Sequence, residues 1–182
     1  MNYKTGKNRA TKIIWIAAAI FWMALIFRFS SQRAQVSGEL SGSLSYRLAG
    51  QASEWLSLGW SEETLLHYGK IWEHPLRKAA HMAEYAVLSL LFLGNFFQYK
   101  ITRKRKYLLA WICATGYAAT DEFHQLFVEG RSGQISDVCI DSAGAFVGLC
   151  FVYLVLLMFH NVLHKTDKLE KNKKEVTDNG RT

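Results

Sequence analysis

The chain has 182 residues, half of them apolar and 14% aromatic, with one proline and a formal charge of +7. Its apolar residues arrive in four long blocks, which argues against a soluble domain, since one of this length rarely needs four such runs. The basic excess comes with no nucleic-acid-binding signature, so no nucleic-acid partner is expected.

The first block covers residues 13–29 and follows Lys4, Lys7, Arg9 and Lys12. Cations ahead of an apolar run also describe a secretory signal. The following Phe27-Arg28-Phe29-Ser30-Ser31 offers no small-x-small cleavage site, and the block reads as a retained anchor. Residues 30–78 mix charges of both signs and place Leu44, Leu48, Ala52, Trp55 and Leu56 at helical spacing. An amphipathic helix on the outer surface is expected there, able to cover a site. Trp55, Trp60 and Trp72 fit either interfacial anchors or the packing of a cap.

Blocks two, three and four cover residues 79–99, 107–128 and 135–159. Each is close to the roughly 20 residues that cross a hydrocarbon core of about 30 Å. Cations crowd the amino terminus, the connection Lys100 to Lys106, and the tail from Lys165 to Arg181. By the positive-inside rule these lie in the cytoplasm, and residues 30–78 and the connection around Arg131 lie outside. The expected fold is therefore an all-α integral membrane four-helix bundle of the cell membrane, with both termini inside. A basic stretch (1–12) precedes the transmembrane domain (13–160), and a polar tail (161–182), expected to fray, follows it. The lipid bilayer is its first partner, and anionic inner-leaflet lipids account for much of the charge. Cys113, Cys139 and Cys150 fall within blocks and read as unpaired packing residues.

With this topology, the polar residues of all four blocks gather at the outer end. Arg28, Ser30 and Gln32 close the first; Lys78, His81, Glu84 and Tyr85 open the second; Asp121, Glu122, His124 and Gln125 end the third; Arg131, Asp137 and Asp141 lead into the fourth. A charge within or at the edge of hydrocarbon costs roughly 2.5–3.5 kcal/mol even on insertion scales, so such clusters usually serve a site. His81 shares a helix face with Glu84 and Tyr85, Asp121 with His124 and Gln125, and Asp137 with Asp141. Gly144 and Gly148 extend the Asp137–Asp141 stripe as small residues for close helix packing.

Three readings follow. In an enzyme acting on a lipid-linked envelope molecule, His81 or His124 is the proton donor or base, and Glu84 or Glu122 orients it. Arg131 then holds a phosphate or carboxylate, with Lys78, Tyr85, Asp121, Gln125, Asp137 and Asp141 as further binding groups. In a binding module, the same charges capture an envelope lipid, a peptidoglycan precursor or a drug without chemistry. In a structural network, Arg28, Lys78 or Arg131 pairs with Glu84, Glu122 or Asp141 to fix helix register. His and carboxylates are common metal ligands, but the spacings match no zinc motif, and metal and cofactor are left unassigned. No nucleophile elbow, phosphate loop or dinucleotide fingerprint is present. His67, His74, His160 and His164 read as solvated or interfacial.

The series Lys78-x-x-His81-x-x-Glu84-Tyr85, Asp121-Glu122-x-His124-Gln125, Gly130-Arg131 and Asp137-x-x-x-Asp141-x-x-Gly144-x-x-x-Gly148 resembles the VanZ-like family of small bacterial membrane proteins. Phe29-Ser30-Ser31-Gln32 is similar to that family's first-helix ending, and the likeness covers roughly residues 13–160. The resemblance implies a link to low-level resistance to the glycopeptide teicoplanin and names no reaction. One departure stands out: a position often held by Asn in the family is Asp141 here, adding a negative charge.

Overall fold

A computed structural model of the protein describes residues 3–32 and 34–179, with side chains over 9–32 and 35–161. The expected charges of Lys4, Lys7 and the tail, and the role of His164, lie outside the described side chains.

The chain is all-α, with five helices: α1 (Tyr3–Ser30), α2 (Ala34–Trp55), α3 (Glu62–Phe96), α4 (Arg103–Gln125) and α5 (Ile135–Asn179). α1 and α5 contain the first and fourth apolar blocks, α3 and α4 hold the second and third up to residues 96 and 125, and α2 is the helix expected in the 30–78 segment. Their limits differ from the blocks. The second block is expected to begin at residue 79, yet α3 begins at Glu62, where Ser61 caps it by accepting the Thr64 N–H. At about 1.5 Å per residue, its 35 residues reach some 50 Å. The third block is expected to run to residue 128, whereas α4 ends at Gln125. The carboxyl-terminal end, expected to fray, continues α5 as helix through Asn179.

Two compact units divide the chain, Met1–Gly148 and Leu149–Thr182. In the first, α3 packs against α1, α2 and α4. Its core is Ile26, Tyr85, Leu88, Ala114, Ala118 and Ala145, with Trp22, Met23 and Phe92 against it. Small residues let the helices close up: a Cβ on Gly144 would meet the Met82 carbonyl oxygen and lie 2.6 Å from Met82 Cα. Ser89 Oγ bonds to the Ala145 carbonyl at 3.0 Å across the same contact. Two long-range bonds join α1 to its neighbours: Trp22 Nε1 donates to the Glu84 carbonyl at 2.9 Å, and the Tyr117 hydroxyl to the Met23 carbonyl at 2.7 Å.

α2 lies along the amino-terminal half of α3 with Ser45, Ala49 and Ser53 buried. Its leucines, Leu40, Leu44 and Leu48, are exposed instead. The apolar face of this amphipathic helix is thus turned away from the protein, as suits contact with lipid. Of the three tryptophans, Trp60 stacks on Tyr68 with ring centroids 4.4 Å apart and meets Trp72 edge-on, which is the packing alternative. Trp55 is 86% exposed.

The second unit is the continuation of α5, where Phe151, Leu154, Met158 and Phe159 are exposed. Among the described residues, two stretches, Arg9–Ser30 and Ile135–Asn161, are long and apolar enough to cross a bilayer, with mean hydropathies of 2.0 and 2.3. Soluble monomers rarely leave such broad apolar surface bare. Bilayer lipid is the solvent that suits it. The three cysteines are unpaired, and Cys139 is exposed, so it does not fill the core as expected.

Candidate functional site

The early start of α3 brings four basic side chains onto one face. His74, Arg77, Lys78 and His81 follow the i, i+3, i+4, i+7 pattern and together line a cavity of about 180 Å³. Glu122 and Gln125 from α4 close another side, and Asp137 and Asp141 from α5 a third. The α4–α5 connection completes it with Arg131, Ser132 and Gln134.

That connection turns at Gly130, whose φ of +74° lies in the left-handed region that favours glycine. The turn points Arg131 back towards the end of α1, where its Nε donates to the Gln32 carbonyl at 3.1 Å. Among the described residues, Arg131 makes no ion pair. Burial lowers its pKa, and the Arg77 cation does so too, while Asp121, Glu122 and Glu84 oppose them. A guanidinium stays protonated under such influences.

The carboxylates have three different environments. Asp137 accepts from Lys78 Nζ at 2.6 Å. Glu122 is held by neutral donors, the Gln134 N–H at 3.0 Å and Gln125 Nε2 at 3.2 Å; the same amide reaches Asp121 Oδ2 at 3.3 Å. Asp121 sits behind, beside Ser30. Asp141 is 2% exposed, lines the cavity, and has neither hydrogen bond nor ion pair among the described residues. Its helix cannot retreat, because Gly144, one turn on, is pressed against Met82 of α3.

Lys78 and Asp137 keep side-chain exposures of 30% and 36%, so water screens their attraction. A double-mutant cycle of Lys78→Met and Asp137→Asn, read by thermal unfolding in detergent, is expected to give a coupling of about 0.2–1 kcal/mol. A value several times larger would mean that the pair is a main strut of the fold.

Not every residue expected in the site meets it. His81 Nδ1 stands 3.7 Å from Glu84 Oε2, and Glu84 lines a second, neighbouring cavity that His81 also borders. Tyr85 is fully buried with its hydroxyl unpartnered. His124 lines neither cavity; its ring lies against Phe27, with centroids 4.4 Å apart. The register-fixing network is not seen either, since none of Arg28, Lys78 and Arg131 pairs with Glu84, Glu122 or Asp141 among the described residues.

His74, Arg77, Ser132 and Gln134 are cavity residues that the sequence reading does not select. For His74 and Arg77 a signal exists: they continue the His81 face back by one and two turns. Among the described residues, no group of three or more His, Cys, Asp and Glu side chains is placed to hold a metal ion. A cavity with fixed acceptors on one side and guanidinium groups on the other can bind a ligand that carries both donors and an anion.

No curated protein and no solved structure matches the chain. The model of one family, described as VanZ/LLP1, matches residues 15–160, most of the chain and all the cavity residues. This protein belongs to the VanZ/LLP1 family.

Proposed function

We propose that the protein is a multi-pass membrane protein in which α1, α3, α4 and α5 cross the bilayer, with both termini in the cytoplasm. The cavity then faces outward and captures a lipid-linked or cell-wall-precursor component of the envelope, lowering sensitivity to glycopeptides such as teicoplanin. One observation carries the reading: Asp141 and Arg131 line the same cavity, and neither makes an ion pair among the described residues. In a network whose purpose is helix registry, the buried acidic and basic groups would be paired with one another, because a buried ionisable group without a partner is costly. Charges held apart are available to something else.

Binding is the activity this arrangement supports best. A second reading, proton transfer by His81, draws on its approach to Glu84, a carboxylate able to orient the imidazole. The basic connections 1–12 and 100–106 support the orientation.

The test is teicoplanin and vancomycin susceptibility of a sensitive bacterium expressing the wild type or Arg131→Gln, with membrane levels quantified. The wild type is expected to raise the inhibitory concentration of teicoplanin severalfold, and Arg131→Gln to abolish the rise at equal abundance. No rise with the wild type would overturn the glycopeptide part of the reading.

A further inference from the structure

Next to the polar cavity lies a larger one of about 480 Å³, and the two share Arg77, His81 and Arg131. The larger cavity has a different chemistry. Phe29, Leu40, Leu44, Leu76 and Ala80 provide an apolar lining, a surface with no use for a water-soluble ion. Among its charged residues three are arginines, Arg47, Arg77 and Arg131, against the single carboxylate of Glu84.

The arginines at the junction have hydrogen-bonding capacity to spare. Arg131 uses Nε on the Gln32 carbonyl and makes no ion pair among the described residues. Arg77 is ion-paired through Nη2 with Glu73 Oε1 and bonds Ser41 Oγ, both at 3.0 Å, while its buried Nε has no hydrogen-bond partner among the described residues. Two guanidinium groups beside one apolar cavity call for an anion joined to a hydrocarbon. Phosphate suits them better than carboxylate, because its additional oxygens let two planar forks engage together.

We infer that the larger cavity holds the hydrocarbon chain of a lipid whose phosphate sits between Arg77 and Arg131, where the two cavities meet. This rests on the proposed capture of an envelope component and specifies its chemical class. The rest of the headgroup enters the polar cavity, where Glu122 and Asp141 are acceptors for its hydroxyl or amino groups. The bare leucine face of α2 keeps this entrance among lipids, since Leu40 and Leu44 are both exposed and part of the lining.

The experiment is native mass spectrometry of the full-length protein released from detergent, with hexadecyl phosphate, hexadecanol or butyl phosphate added. Hexadecyl phosphate is expected to bind about tenfold or more tightly than either of the others, on the scale of a charge-assisted hydrogen bond against hexadecanol and of buried methylene groups against butyl phosphate. Arg131→Gln should remove most of the preference over hexadecanol. Leu44→Trp, which narrows the apolar part at a half-exposed position, should remove most of the preference over butyl phosphate. Equal binding of hexadecanol would make this a plain apolar groove, and equal binding of butyl phosphate a soluble-phosphate site; either overturns the inference. Glycopeptide protection without a preference for hexadecyl phosphate overturns this ligand class and leaves the proposed function standing. The preference without protection does the reverse.

Discussion

Asp141→Asn is expected to abolish glycopeptide protection while leaving the protein as abundant as the wild type and somewhat more stable. Asparagine has nearly the same shape, so the contact of α5 with α3 is kept. What changes is a carboxylate that is 2% exposed and unpaired among the described residues. A charge or polar group in that position costs the fold about 1–3 kcal/mol, and an amide with smaller hydration demands recovers part of it. Thermal unfolding in detergent, measured with susceptibility, checks both halves. Gained stability with lost protection is the mark of a group retained for its use. If stability falls and protection follows abundance, Asp141 has a structural role. If protection persists, the negative charge is dispensable.

Gly144→Val is expected to have the opposite profile, a severalfold loss of protein from the membrane. A Cβ at residue 144 would collide with the Met82 carbonyl and lie 2.6 Å from Met82 Cα. Both are backbone atoms, which cannot rotate away as a side chain does. Relief requires α3 and α5 to separate, which strains the 3.0 Å Ser89–Ala145 bond and loosens the packing of Leu88. Overpacking of this kind typically costs about 1–3 kcal/mol, enough to change cellular abundance several-fold. Gly116→Ala is the internal control: nothing lies within 4 Å of a Cβ there, and the exchange removes a helix penalty of about 1 kcal/mol. Quantitative immunoblotting of membranes should show Gly116→Ala at or above wild type and Gly144→Val far below. Equal abundance of the two would mean that the close approach is not needed.

The apolar blocks were legible because long apolar runs stand out against polar connections: the first and fourth lie wholly within α1 and α5, and the second and third overrun the ends of α3 and α4 by three residues each. Their ends were less legible. The start of α3 is hidden because residues 62–78 are polar on the side that forms the cavity, and Pro75 inside the helix resembles a stop. Reading the helix as starting at residue 79 therefore conceals His74 and Arg77. Helical spacing correctly related His81 to Glu84 and Asp137 to Asp141, but rotation about the axis decides which cavity a side chain enters. His124 illustrates this, for two residues on from Glu122 is about 200° around α4, which puts it against Phe27. Gln134 was beyond reach, because its contribution is a backbone N–H, and any residue but proline has one.

Pro75 has a mechanical consequence for the cavity. Lacking an N–H, it cannot close the helical bond to the Ile71 carbonyl, so the stiffness of α3 is least around that turn. Lys78 and His81 follow the proline, continuous with the stretch through Tyr85 and Leu88, whereas His74 precedes it, beside Glu73, which bonds to Ser41 of α2. The wall that α3 gives the cavity thus crosses a turn that lacks one backbone hydrogen bond, so a bend of α3 there would alter the shape of the cavity before it altered the packing around Leu88.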